Sequence, residues 1–202
     1  MNTTVSRRIL SAAIAAAPLL LWPAAASAHP MQGVGDFYAG MLHPLTTVEF
    51  LLPMIALGLL AGQQSRTSAI AMLATFPVSL AIGAALGIPV HLPSIVAWVN
   101  LGSMAALGLL VAAARPLPSS AAAGLSVLLG LSVGLANGAE LGGQVSAYRF
   151  VPGLALAGLI LVTYGVGCVR RLRAPWMRIG FRVIGSWIAA IGILVLSLKQ
   201  PS

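Results

Sequence analysis

Polar residues fall in short intervals along this chain, and long apolar runs lie between them. Six such runs succeed one another, over residues 45–62, 68–87, 93–114, 119–136, 151–169 and 180–198. Each is about the 17–25 residues that an α-helix needs to cross a bilayer. The connections are short, as between antiparallel neighbours in a bundle. No soluble domain fits between them. The pattern predicts an all-α membrane protein, a bundle of six transmembrane helices.

A seventh, shorter apolar run precedes these. Arg7 and Arg8 stand before it, Ile9 to Trp22 forms it, and Ala26-Ser27-Ala28 follows with small side chains. This is the pattern of a secretory signal peptide cleaved after Ala28. The alternative is an uncleaved first helix. The expected organisation is a signal peptide over 1–28 and one six-helix transmembrane domain over 29–202, the mature chain starting at His29 on the outer side.

Composition agrees with a lipid environment. The chain is 59% hydrophobic and 7% charged, against about 25% charged residues in soluble domains. A net charge of +8 raises the question of nucleic acid. The arginines answer it: they sit between apolar spans instead of forming one basic face with aromatics. Threading six spans from an outer N-terminus puts Arg66, Arg115, Arg170, Arg171, Arg173 and Arg178 inside, with Arg182 just within the last span. Only Arg149 and Lys199 fall outside. That positive-inside bias predicts a bacterial-type inner (cytoplasmic) membrane protein with the basic 170–182 loop in the cytoplasm. The lipid bilayer is the implied partner, and a homo-oligomer stays open.

The same threading places every candidate ligand on the outer side. Asp36, Glu49 and Glu140 are the acids of the chain, and His29, His43 and His91 its histidines. In the first span, His43-Pro44 reads as a helix entrance, since proline is favoured at the first helical position. Glu49 then lies inside the helix, where an ionised acid should face the bundle interior and find a partner. Pro53 cannot donate the hydrogen bond that the carbonyl of residue 49 expects. The expectation is a helix break that exposes a backbone oxygen beside a carboxylate, an arrangement that hard cations favour. Thr46 and Thr47 add hydroxyls or cap the helix. The alternative for Glu49 is a structural acid, paired with an arginine such as Arg149 or capping the helix, and for His43 an interfacial anchor.

A second polar stretch, "GLANGAELGG", ends the fourth span with Asn137 and Glu140 between glycines. A glycine-rich break exposes backbone carbonyls where it lines a cavity; the alternative is an ordinary outer loop. His91 in "GIPVHLP" reads as an exposed turn histidine. Gly83 and Gly87, and Gly130, Gly134 and Gly138, recur at helical spacing and read as close helix contacts. Gly130-Leu131-Ser132-Val133-Gly134 matches the nucleophile elbow, but that motif needs a strand before the serine. Here it lies in a helical apolar run without a nearby histidine, so no catalytic residue is assigned and no enzyme is expected. Cys168, the lone cysteine, forms no intrachain disulfide or cysteine cluster.

The stretch "GVGDFYAGMLHPLTTVEFLLPMIALGLLAG" resembles the start of the HupE/UreJ family of small membrane proteins. These are linked to nickel supply for hydrogenase and urease and regarded as secondary nickel or cobalt permeases. Where the family opens its first span with His-Pro, this chain has His43-Pro44. Where the family next has Asp-His, it has Glu49-Phe50. A family segment ending in His-Gly-Ala-Glu is matched by Asn137-Gly138-Ala139-Glu140, with Val133 and Leu135 at earlier histidine places. Thr163 and Tyr164 stand where members often carry a histidine in the fifth span.

The resemblance implies a permease moving a divalent metal inward between the first and fourth helices. The implied metal site is His43, Glu49, Asn137 and Glu140, with His29 and Asp36 as outer auxiliaries. The metal is cargo, and no tightly bound cofactor is expected. Imidazole suits nickel, whereas carboxylates and carbonyls suit harder ions, so the histidine losses weigh against nickel. The competing function is a non-transporting accessory or assembly protein with a degenerate site.

Overall fold

The computed structural model describes residues 35–89, 95–141, 145–172 and 174–198. Their elements are α1 (Asp36–Thr46), α2 (Val48–Gln63), α3 (Arg66–Gly87), α4 (Ile95–Ala113), α5 (Ser119–Ala139), α6 (Ala147–Arg171) and α7 (Pro175–Leu198). The residues expected to form a signal peptide, with His29, lie outside the described residues, as does His91.

Helices α3 to α7 are each long and apolar enough to cross a membrane. They follow the apolar runs to within a few residues, because lipid leaves a spanning backbone no partner but itself. Local chemistry sets their ends. Ser65 caps α3 by accepting the Ser68 N–H, and Pro175 opens α7, where a missing N–H costs nothing. Pro77 and Pro152 lie inside α3 and α6, as membrane helices tolerate. The first span differs: α1 and α2 make one crossing only as a pair bent by 83°. The protein is thus an all-α membrane bundle of five apolar helices plus a broken pair.

Neighbours in sequence are not the main neighbours in space. α3 packs chiefly on α5, α4 on α7, and α6 on both α1 and α2. The short connections had implied sequential antiparallel pairs, but each seam forms where glycines meet. A Cβ on Gly83 would lie 2.9 Å from Leu131 Cα, and one on Gly134 would lie 2.8 Å from the Ala84 nitrogen. Gly87, Gly130 and Gly138 meet the facing helix as closely. The expected glycine contacts therefore form one α3–α5 seam, and its facing residue numbers rise together, so the two helices are parallel. Gly58 and Gly165 bring α2 and α6 together in the same sense. Gly108, Gly185 and Gly192 join α4 to α7, with numbers running oppositely. Such approach substitutes for the hydrophobic drive that lipid removes.

Phe76, Met54, Leu57, Met72, Leu80 and Leu154 fill the centre. Ile70, Val78, Ile160, Trp187 and Leu194 remain exposed, as suits side chains that face acyl chains.

Candidate functional site

The site is built around the break in the first span. Thr46, Thr47 and Val48 are successive β-branched residues, which restrict χ1 and weaken a helix. Pro44 lies inside the last turn of α1, where it supplies no N–H. Thr47 then turns extended, at φ −116° and ψ 115°, and α2 begins with Val48. The backbone amides of Phe50 and Leu51 both donate to the Thr47 carbonyl, 3.0 Å away. The Thr46 hydroxyl donates to the His43 carbonyl at 2.8 Å.

This differs from the sequence expectation in two respects. The helix is already running at His43-Pro44 instead of starting there, and it passes through Pro53 without a break. Pro53 removes one N–H, the partner of the Glu49 carbonyl, and α2 tolerates that loss. The change of direction belongs to Thr47, whose backbone leaves the helical region altogether. Glu49 consequently sits half-buried in the first turn of α2, where the helix dipole favours a carboxylate.

The bend turns His43 toward the end of α5. Its Nε2 lies 3.2 Å from Glu140 Oε2. The imidazole side chain is 24% exposed and the carboxylate 52%. Two aromatic rings hold the imidazole, Phe50 at 6.1 Å and Phe150 edge-on at 5.6 Å between centroids. Phe50 is buried, so the place of the second imidazole in the family pattern holds a core side chain packed on the first.

One turn back from Glu140, Asn137 is 0% exposed. Its Nδ2 donates to the Val133 carbonyl at 2.8 Å. That carbonyl can only accept, so the amide orientation is settled and Oδ1 points elsewhere. Oδ1 is buried and has no hydrogen-bond partner among the described residues. Such an oxygen costs about 1–3 kcal/mol. Deeper along α5, the Ser132 hydroxyl donates to Asn100 Oδ1 on α4, both residues being buried. Sequence reasoning missed Asn100, having looked for ionisable groups. The available signal was an amide inside an apolar span, which is costly in lipid.

The remaining candidates fall elsewhere. Asp36 Oδ2 accepts the Ser146 backbone N–H at 3.2 Å, tying the start of α1 to the start of α6. Arg149 lies over the Tyr148 ring at 5.2 Å. Thr163 and Tyr164 are on the exposed face of α6. Among the described residues, no three of His, Cys, Asp and Glu come together as a group able to hold a metal ion.

The other end of the bundle is knitted by hydrogen bonds. Gln64 donates to the Arg115 carbonyl at 3.2 Å and accepts the Leu117 N–H at 2.7 Å. Ser68 donates to the Leu117 carbonyl at 3.2 Å, and Arg182 Nε to the Ala112 carbonyl at 2.7 Å.

Comparison with known proteins bears on this arrangement. The sequence model of the family described as "HupE / UreJ protein" matches residues 17–195. Protein HupE of Rhizobium leguminosarum bv. viciae is 29% identical over 178 residues, covering 88% of this chain and 93% of that protein. No solved structure matches the chain. Matched by that family model over most of its length, and with three histidines in 202 residues, the chain belongs to the HupE/UreJ family, which is associated with divalent-metal permeases rather than enzymes, as a histidine-poor member.

Proposed function

We propose that the protein is a secondary permease that carries a divalent transition metal inward across the cytoplasmic membrane, nickel or cobalt by its family, with the histidine losses leaving the choice of ion to the metal panel below. The observation that carries this reading is the His43–Glu140 pair. Two ligands at about 2.1 Å from one ion, at angles of 90–109°, lie about 3.0–3.4 Å apart. The 3.2 Å between Nε2 and Oε2, across which the two share a hydrogen bond, is a spacing that one ion can bridge once the imidazole gives up that bond. Asn137 supports the same reading, because its buried oxygen has no hydrogen-bond partner among the described residues and a cation would satisfy it. In this reading the ion meets His43 and Glu140, and Glu49 and Asn137 receive it further in. Asp36 serves the α1–α6 junction more than capture, and His29 an outer entry.

The orientation belongs to the same proposal. Residues 1–28 are removed after Ala28, the mature N-terminus is outside, and the 170–182 loop is cytoplasmic. The positive-inside bias supports it. The membrane potential then favours entry by about 4.6 kcal/mol for two charges across 100 mV, at about 2.3 per charge.

The second reading is an accessory or assembly protein with a degenerate site. Two observations favour it: the described residues hold no three-ligand group, and Phe50 is buried where the family pattern has an imidazole. Uptake in cells separates the two. The permease reading expects uptake in the parent and its loss in Glu49→Gln and in Glu140→Gln. No uptake in the parent supports the accessory role, and uptake undiminished in both variants removes Glu49 and Glu140 from the proposed path. A panel of nickel, cobalt, zinc, manganese and magnesium reads selectivity. A reporter fused after Arg173 should be cytoplasmic, and a periplasmic signal there overturns the orientation.

A further inference from the structure

At the end of the bundle remote from His43 a cavity of about 500 Å³ opens where α2, α4 and α6 finish and α7 starts. Gln63, Arg170, Arg178, Phe181 and Arg182 line it, and no acidic residue does. We infer that this cavity binds a phosphate group, that of an anionic phospholipid in the adjoining leaflet.

The charge comes first. The three acids of the sequence sit elsewhere: Asp36 opens α1, Glu49 lies in the first turn of α2 and Glu140 follows α5. From Glu49 to Gln63 the axis of α2 rises about 21 Å at 1.5 Å per residue. That distance keeps Glu49 out of the cavity, whose lining holds no acid. A positive-inside bias accounts for basic residues in a loop. It does not account for three of them converging on one cavity.

The geometry comes second. Arg182 Nε donates to the Ala112 carbonyl at 2.7 Å, and Arg170 Nη2 to the Gln64 carbonyl at 3.5 Å. Carbonyls at helix ends thus help to orient two guanidiniums. A guanidinium carries five donors in a planar fork, and the Ala112 bond spends one. Such forks match phosphate oxygens in pairs. Gln63 takes none of them: its amide nitrogen donates to the Val111 carbonyl at 3.1 Å, and its Oε1 has no hydrogen-bond partner among the described residues.

The depth comes third and selects the source. Trp176 stands two residues before Arg178 and is 70% exposed. Exposed tryptophan at the end of a spanning helix sits at headgroup level. The cavity mouth is therefore at the level of lipid phosphates, and Phe181 gives it an apolar wall. The inference needs neither α1 nor α5, so it stands apart from the ion reading.

The test is native mass spectrometry of the full chain in detergent with phosphatidylglycerol, phosphatidylcholine or inorganic phosphate. Phosphatidylglycerol should be retained and phosphatidylcholine not. Arg178→Gln and Arg182→Gln should each lower retention by about fivefold, as expected for one basic residue facing anionic lipid. Arg182→Lys keeps the charge and loses the fork, so it should also lower retention. Arg66→Gln, at the same end but outside the cavity, should leave it unchanged. Circular dichroism checks that each variant is folded. Displacement of the lipid by millimolar inorganic phosphate would keep the phosphate chemistry and overturn the lipid as its source. Equal retention in all variants, or an equal loss in Arg66→Gln, would reduce the cavity to a charged surface and sink the inference.

Discussion

The two ends of the bundle treat polar groups in opposite ways. Each buries one amide oxygen without a hydrogen-bond partner among the described residues, Asn137 Oδ1 at one end and Gln63 Oε1 at the other. The surroundings differ. Asn137 lies one turn from Glu140 and its partner His43. Gln63 lies beside arginines and next to Gln64, which stitches two loops together. The proposed ion path gives the Asn137 oxygen a cation to meet. The Gln63 oxygen shares a cavity with three arginines, none of which donates to it. The acidic end is the one proposed for a cation, and the arginine end joins a structural knot to the cavity inferred to hold an anion.

The comparison breaks most readily at the carboxylates. Glu140→Gln and Glu49→Gln should each lower metal uptake per folded molecule by about 100-fold, since even outer partners of a metal site are worth 10–100-fold. Full uptake in either variant would remove the acidic end from transport. His43→Gln keeps a hydrogen-bonding side chain but loses the imidazole, and should cost about tenfold in the same assay. A larger loss in His43→Gln than in Glu140→Gln would reverse the order of ligands drawn here.

At the arginine end the expected effects are on stability. Gln64→Leu removes two hydrogen bonds between loops. Measured side-chain bonds in membrane bundles average about 0.6 kcal/mol, with a maximum of about 1.7. The loss should be about 1–2 kcal/mol, read by denaturation in detergent, with uptake per folded molecule unchanged. A loss of uptake matching that of Glu140→Gln would mean that the ends are not separate. The smallest effect is expected at Gly124, where an added Cβ meets nothing within 4 Å. Gly124→Ala should be neutral or stabilising by up to about 1 kcal/mol and should leave uptake alone.

Much of this architecture is legible in the residues. Five spans follow from apolar run length alone, because lipid admits few alternatives. The glycines of α3 and α5 are legible as contacts, since little else explains their spacing. Their pairing is not, because α2, α4, α6 and α7 carry glycines too and any two could meet. The break was misplaced for a physical reason. Proline is the conspicuous helix breaker, yet α2 absorbs Pro53, while three ordinary β-branched residues end α1. Within the site, His43 and Glu140 were both readable as polar residues at span ends, and only the bend at Thr47 brings them together. Asn100 escaped because a neutral amide carries no charge to attract notice.

The parallel α3–α5 seam has a consequence for how the protein is made. Between the two helices in the chain comes α4, whose own glycine partner, α7, is synthesised only after α5 and α6. α2 likewise precedes its partner α6 by three intervening spans. If spans enter the membrane in order of synthesis, every glycine face on α2, α3 and α4 first meets lipid or a provisional neighbour, and it is covered only when a later helix arrives. Assembly is therefore nested, and a chain cut short before α6 leaves the groove on α2 open however well its first spans have inserted.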